Sequence, residues 1–182
     1  MIKTLTRVLL LALFAINAAG CGEGTSKTTA GDTYTVSDVQ KISLAQKDAG
    51  FTLKLPNQLP KDYIFKDVTY IPEQQAITVV YGWNDPAFTG ETLFLTQQVQ
   101  KPGEGYVTKD AAVEDVLLGN LWAKFVQGTS DNGKWINDAP MYRLRWEAHG
   151  FYFTLIFSGN EATSKGFITK DDLVKLAEQL LW

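Results

Sequence analysis

Apolar and polar residues alternate with a period of two through most of residues 51–158, a pattern typical of half-buried antiparallel strands. The clearest hairpin is predicted over residues 141–158, with its turn at His149-Gly150. This register places six large apolar side chains on one face, in the facing pairs Tyr142–Phe157, Leu144–Leu155 and Trp146–Phe153. A shift of one residue would move all six to the other face, so the register is strongly specified. We expect this hairpin near the centre of a sheet.

The same alternation predicts strands over residues 63–71, 75–83 and 91–100. Residues 51–55 alternate as well, ahead of a turn between two prolines. The inward side chains of the strand at 91–100 are predicted to be Leu93, Leu95 and Val99.

A second hairpin is predicted over residues 113–127, because Gly119-Asn120 suits a two-residue turn. Its register sets Asp115 opposite Lys124, a favourable cross-strand pair. The polar residues 128–140 that follow are predicted to form a long loop.

Two helices flank these strands. The first lies within residues 34–50 and has two possible starts, at Ser43 through a capping box with Gln46 or at Ser37, and it ends at Gly50. The second begins after the N-cap Thr169 and carries apolar residues at helical spacing: Leu173, Leu176, Ala177, Leu180 and Leu181. The pattern as a whole predicts an α+β fold. We expect a single, mainly antiparallel β-sheet of about seven strands, with the short N-terminal helix and the C-terminal helix packed on one face.

Residues 1–20 have the layout of a secretory signal peptide. Lys3 and Arg7 form a positive region, residues 8–16 are an unbroken apolar run, and small residues follow. The apolar run is too short to span a bilayer well. The sequence therefore predicts export of a mature chain that begins near residue 21.

The signal ends in AAGC at residues 18–21, which resembles the bacterial lipobox, although Ala18 stands where Leu is usual. In a lipobox the cysteine is acylated and becomes the mature N-terminus, so Cys21 is predicted to be the lipidation site. Two acyl chains hold a protein on a bilayer, because each buried CH₂ contributes about 0.8 kcal/mol. An ordinary secretory signal followed by a free thiol is the alternative.

The predicted mature chain therefore has two parts. Residues 21–33 form the lipidated cysteine and a flexible tether, and residues 34–182 form a single globular domain. The expected location is extracytoplasmic, anchored to the cell membrane, or to the outer membrane if the host has two membranes.

Charge and cysteine content exclude some classes of protein. Loss of residues 1–20 removes Lys3 and Arg7 and no acid, which takes the net charge from −3 to −5. Such an acidic chain is not typical of nucleic-acid binding. Cys21 is the only cysteine, so no disulfide forms within the chain and the fold depends on its core.

Three segments in this order resemble one bacterial family, catalogued as domain of unknown function 4367. They are residues 45–63 (AQKDAGFTLKLPNQLPKDY), 144–155 (LRWEAHGFYFTL) and 171–180 (DDLVKLAEQL). Asp62 stands where Gly is common in the family, and Gln179 where Ser is common. The resemblance covers about residues 43–181 and implies an exported, membrane-attached domain. It implies no catalytic residue, because none is assigned in that family.

Chemical motifs are weak. Residues 128–134 match the first seven positions of a phosphate-binding loop, but Trp135 stands where Ser or Thr would bind magnesium, and no helix is predicted to follow. His149, the only histidine, is interpreted as a turn residue. Asp131 and Asp138 are too few for a calcium site. We therefore expect no enzyme activity, cofactor, metal or nucleotide.

The outer face of the 141–158 hairpin is a better candidate site. It carries Arg143, Arg145, Tyr152 and Ile156, and Arg and Tyr dominate the energetics of many interfaces. A solvated face partly neutralised by Glu147 is the alternative. Two functions follow: a tethered binding module that contacts another envelope protein or the peptidoglycan layer, or a carrier that holds a hydrophobic ligand between sheet and helices. We prefer the module, since the inward residues are bulky enough to fill that space.

Overall fold

The computed structural model describes residues 33–85, 90–103, 107–159 and 168–181. The predicted signal peptide, Cys21 and nearly all of the tether lie outside these residues. The described strands are β1 (Tyr63–Ile71), β2 (Ala76–Trp83), β3 (Thr92–Gln98), β4 (Val113–Leu118), β5 (Leu121–Gln127), β6 (Thr129–Asp131), β7 (Lys134–Ile136), β8 (Met141–Ala148) and β9 (Phe151–Ser158). The helices are α1 (Val36–Ala49) and α2 (Lys170–Glu178), and a 3-10 turn, Pro72–Gln74, joins β1 to β2.

Seven strands form one antiparallel sheet in the order β1-β2-β3-β9-β8-β5-β4. The predicted α+β fold is confirmed. The hairpin of β8 and β9 lies in the middle of the sheet and has the predicted register, from Ala148 opposite Phe151 to Tyr142 opposite Phe157. The side chains that share a face with Trp146 point toward the helices and form the core. We call this the inner face of the sheet and the opposite one the outer face.

The hairpin of β4 and β5 also has the predicted register. Asp115 lies opposite Lys124, and the two side chains form an ion pair of 2.5 Å at the surface. The prediction of a long loop after β5 is wrong. β6 and β7 form a small two-stranded sheet there, because Asn132 and Gly133 both adopt the positive φ angles of a hairpin turn.

Helix α1 begins at Val36, one residue before the earlier of its two predicted starts, Ser37. Its N-cap is Thr35, whose side chain and that of Asp38 form a reciprocal capping box, so the box predicted at Ser43 is wrong and the start near Ser37 is nearly right. Gly50 ends the helix with φ 75°, as predicted. Helix α2 has the predicted N-cap Thr169.

Residues 51–60 form no strand, although their alternation is that of one. Their backbone is held by glutamine side chains instead of a neighbouring strand. Gln97 accepts from Lys54 N at 2.8 Å and donates to the carbonyl of Thr52 at 3.0 Å, and Gln46 accepts from Leu53 N at 2.7 Å. This segment covers part of the inner face, while α1 packs on β1 and β2, and α2 contacts β4 and β8.

The end of β3 departs from its prediction. Leu93 and Leu95 are fully buried on the inner face as expected, but Val99 lies beyond the strand and is largely exposed. The inward row of β3 ends instead at Gln97, which is 1% exposed and whose amide binds the backbone of residues 51–60. Gln98 lies on the outer face and is nevertheless buried.

Candidate functional site

The outer face of the central hairpin carries the residues that were singled out from the sequence. Arg143 pairs with Ile156 and Arg145 with Thr154, and Tyr152 lies opposite Glu147, so all alternate with the inward core residues. The four predicted face residues are half-buried. Their partial burial has a specific cause, which is the chain that crosses this face.

Residues 99–112 connect β3 to β4, and we call them the crossing segment; the structure describes residues 99–103 and 107–112 of it. Because β3 and β4 are separated by β9, β8 and β5 in the sheet, the connection has to pass over these strands. The guanidinium of Arg145 donates to the carbonyl oxygen of Gly103 at 3.3 Å, and Gln98 donates to the carbonyl of Gln100 at 2.5 Å. These bonds hold the segment against the outer face.

The crossing segment leaves one cavity on each side. The first has a volume of about 470 Å³, and Arg143, Arg145 and Tyr152 all contribute to its lining. We call it the basic groove. The second, of about 610 Å³, is lined mostly by threonine and glutamine residues, and Arg145 and Ile156 contribute to it as well. Of the predicted face residues, Arg145 alone lines both cavities, and Lys101 and Pro102 form the wall between them.

The basic groove is rich in cations. Among the described residues, Lys101, Lys124, Arg143 and Arg145 line it, against the single carboxylate of Glu147. The pair of Lys124 with Asp115 neutralises little of this charge, because both side chains are more than half exposed and such pairs are weak in water. Among the described lining residues, cations thus outnumber carboxylates four to one, in a chain whose predicted mature form is acidic.

The groove also has an apolar rim that was not identified from the sequence. Trp122 lines the groove and is 67% exposed, and its cross-strand partner Leu117 is 53% exposed. Val113, also at the groove, is 51% exposed. The signal was present: once Asp115 and Lys124 face outward, the period of two puts these residues on the same face.

Tyr152 adds a directed hydrogen-bonding group beside this rim. Loss of surrounding water and the neighbouring carboxylate of Glu147 keep the pKa of Tyr152 above its ordinary value. Its hydroxyl therefore keeps its proton at physiological pH and donates it in a hydrogen bond to the carboxylate of Glu147. Together, the described lining of the groove offers cations, a phenol and an exposed indole.

A buried carboxylate at the other end of the sheet was also missed. Glu91 is only 2% exposed, and one of its oxygens, Oε2, accepts from the hydroxyl of Tyr63 at 2.9 Å and from the indole nitrogen of Trp83 at 2.7 Å. Burial, and then the bond to Glu91, raise the pKa of Tyr63 far above its usual value. The alternation that buries Leu93 also places Glu91 inward. We interpret this cluster as a structural link between β1, β2 and the start of β3.

The other residues considered for chemistry, His149 and the loop-like motif at residues 128–134, lie in hairpins of the described structure. His149 sits in the turn between β8 and β9 with φ 53°, as predicted, and its Nε2 lies 2.8 Å from the carbonyl oxygen of Leu181. Residues 128–134, which match part of a phosphate-binding loop, form β6, a turn and the start of β7. In the described ranges, no group of three or more His, Cys, Asp and Glu side chains could hold a metal ion.

The position of Gly128, just before β6, requires a glycine. Its φ is 104°, and a Cβ at this position would lie 2.2 Å from the carbonyl oxygen of Ile136. The glycine thus serves the close approach of two backbones, since no side chain fits there.

Comparison of the chain with models of protein families, with curated proteins and with solved structures gave no match. The resemblance to domain of unknown function 4367 stays a prediction. Neither α1 nor α2, the helices of the described part of the chain, is long and apolar enough to cross a membrane.

Proposed function

We propose that this chain is a membrane-tethered extracytoplasmic lipoprotein whose globular domain is a non-catalytic binding module of the cell envelope. The observation that carries the proposal is the basic groove. It gathers Arg143 and Arg145, the only arginines after residue 7, beside Tyr152 and the exposed Trp122. Trp, Tyr and Arg are the residue types that contribute most to binding at protein interfaces.

The tether is part of the proposal, because a small groove gives weak binding by itself. A lipid anchor on Cys21 would confine the domain and a membrane-associated partner to the same layer, and the raised local concentration would compensate for modest affinity. The support for the anchor is the sequence of residues 8–21. Mass spectrometry of the protein isolated from its native envelope should find Cys21 acylated and N-terminal. An unmodified Cys21 would contradict the anchor.

The function of the groove is tested by capture of partners from the envelope with a double variant, Arg143→Glu with Tyr152→Ser. Crosslinked partners of the full-length protein should be lost, while the thermal midpoint changes little. Lys41→Glu is the matched control, because Lys41 is an exposed cation on α1, on the other side of the sheet. An unchanged set of partners in the double variant would contradict the proposal.

A carrier of a lipid or an acyl chain between sheet and helices is the alternative function. Its ligand would occupy the space of side chains such as Tyr81, Phe153 and Phe157, which are fully buried by the domain itself. Opening of that layer would also break the bonds that Gln97 makes to residues 51–60. These costs are the reason to prefer the binding module.

A further inference from the structure

The second cavity of the outer face, which we call the polar cleft, has a floor of uncharged hydrogen-bonding side chains. Its volume of about 610 Å³ lies in the range of small-molecule sites, about 300–1,000 Å³. Three threonines and three glutamines account for most of its described lining: Thr78, Thr96, Thr154, Gln74, Gln98 and Gln100. Most small-molecule pockets are lined by apolar side chains instead. The polar cleft therefore favours a ligand that is itself rich in hydrogen-bonding groups.

The three threonines form one row across neighbouring strands. Thr78 of β2 lies opposite Thr96 of β3, and Thr96 lies opposite Thr154 of β9. Adjacent strands are about 4.7–4.9 Å apart, so the floor of the cleft presents a hydroxyl at this interval. The hydroxyl oxygens of Thr78 and Thr96 are 2.9 Å apart and share one hydrogen bond. Because each hydroxyl carries a proton, one of the two protons stays available to a ligand.

Two buried polar side chains of the floor have hydrogen-bonding capacity that the described chain does not use. Thr154 is 6% exposed and Gln98 is 7% exposed. No hydrogen bond of the Thr154 hydroxyl is found within the described part of the chain. Gln98 donates its Nε2 to the carbonyl of Gln100, which leaves its Oε1 as an acceptor. Since buried polar groups nearly always have a partner, Thr154 marks a position for a polar atom of a ligand.

The chemistry of these side chains matches a sugar better than a flat or apolar ligand. A threonine hydroxyl and a glutamine amide both donate and accept, as do the hydroxyl and N-acetyl groups of a saccharide. A nucleotide base or an apolar peptide side chain would cover these groups without completing their hydrogen bonds, which costs free energy. The interval of the threonine row is also comparable to the length of one pyranose unit in an extended glycan. Ile156 lines the cleft as well and offers a contact to the C–H face of a sugar ring.

From these observations we infer that the polar cleft binds a neutral saccharide, which lies across β2, β3 and β9 with its polar groups on Thr96, Thr154 and Gln98. Arg145 also lines the cleft, but its guanidinium already donates to the carbonyl of Gly103 and is not assigned to the ligand. This site goes beyond the proposed function, which depends on the basic groove. Arg143 and Tyr152 belong to the groove and not to the described lining of the cleft.

The test is isothermal titration calorimetry of the full-length protein in micelles of a polyoxyethylene detergent, which carries no sugar. The probe is the tetramer of β-1,4-linked N-acetylglucosamine, and its deacetylated, cationic counterpart is the matched ligand control. The acetylated tetramer should bind saturably and more tightly than the cationic one, with an affinity that changes little with salt.

Two variants locate the binding on the threonine row. Thr96→Val with Thr154→Val removes two hydroxyls and keeps the branched shape of both side chains, so the fold should be retained. It should weaken binding of the acetylated tetramer by about tenfold or more, because each lost hydrogen bond weakens binding several-fold. Thr69→Val is the matched control, since Thr69 of β1 lies opposite Thr78 and continues the row beyond the described lining of the cleft. It should bind as the unaltered protein does.

Several results would overturn the inference. They are the absence of saturable binding, equal losses in Thr69→Val and in the double threonine variant, and a steep fall of affinity with salt, which would indicate a charged ligand. The groove variant Arg143→Glu with Tyr152→Ser should bind the tetramer normally, and a loss there would place the saccharide in the groove instead. Because that variant is the one that should lose envelope partners, failure of the saccharide site and failure of the proposed function are separate outcomes.

Discussion

Trp146 stacks on Phe153 across the central hairpin, with ring centroids 5.1 Å apart and ring planes inclined by 7°. This contact sits on the inner face, and the residues on either side of Trp146 in β8 are Arg145 and Glu147 of the outer face. The register that buries the two rings is therefore the one that builds the groove. A slip by one residue would bury the arginines and expose the core.

Removal of this stacked ring should strongly destabilise the domain. We expect Trp146→Ala to lower the free energy of unfolding by about 3–5 kcal/mol, the usual range for a buried aromatic residue. Trp146→Phe should cost much less, because the described structure gives the buried indole nitrogen no hydrogen-bond partner to lose. Urea denaturation measures the free energy of unfolding of both variants. The matched control is Trp122→Ala at the exposed rim, which should change the free energy of unfolding by less than about 1 kcal/mol. Equal losses of stability at Trp146 and Trp122 would contradict the register.

The buried carboxylate of Glu91 gives a second prediction. Glu91→Ala leaves the hydroxyl of Tyr63 and the indole nitrogen of Trp83 without their acceptor, which should cost at least about 1–3 kcal/mol. Combined with Tyr63→Phe, it should show a coupling of about 0.5–3 kcal/mol in a double-mutant cycle. Glu73→Ala, at an exposed glutamate in the 3-10 turn, is the control and should change little. Additive effects of the Glu91 and Tyr63 substitutions would argue against a link between these strands.

Alkaline pH should destabilise the domain through its buried phenols. Burial raises the pKa of Tyr34 to about 12, with Asp38 adding to the shift and the bond to Tyr81 opposing it. Burial also raises the pKa of Tyr63 and Tyr81 further. The pKa of a tyrosine in the unfolded chain is about 10, so above pH 10 ionisation favours the unfolded state. The stability that the three neutral, buried phenols contribute below pH 10 is therefore lost progressively as the pH rises above 10.

Absorbance of tyrosinate near 295 nm measures this effect. In the folded protein these three phenols should stay neutral at about pH 11 and ionise together with unfolding, seen by circular dichroism. Tyr34→Phe should reduce the loss of stability above pH 10. Ionisation of all tyrosines near pH 10 with no loss of structure would contradict the burial of these side chains.

Parts of the fold with a period-two pattern and a specific turn could be predicted from the sequence. The hairpin at His149-Gly150 and the pair Asp115–Lys124 were predicted correctly, because facing residues are fixed once the turn is known. The same logic reached Arg143 and Arg145 on the outer face. Contacts within one hairpin are local, and local patterns specify them.

Features that depend on distant segments were missed. Residues 51–55 alternate like a strand, but the side chain of Gln97 binds their backbone, and the sequence of neither segment reveals this contact. The crossing segment divides the outer face because β4 lies at the far edge of the sheet, which is a matter of topology. The burial of Glu91 is hard to predict for another reason, since a charged residue is rarely found in a core.

The most direct test of the groove as a binding surface is site-specific photocrosslinking. A photo-reactive amino acid, p-benzoylphenylalanine, replaces Trp122 in the full-length protein within its native envelope. The same probe at Val39, an exposed residue of α1, serves as the control. If the groove is the binding surface of a tethered module, illumination should give a specific crosslinked protein from position 122 and not from 39. That product should disappear when Lys101→Glu and Lys124→Glu are added. Crosslinks from position 39 alone, or identical products from both positions, would contradict the proposed role of the groove.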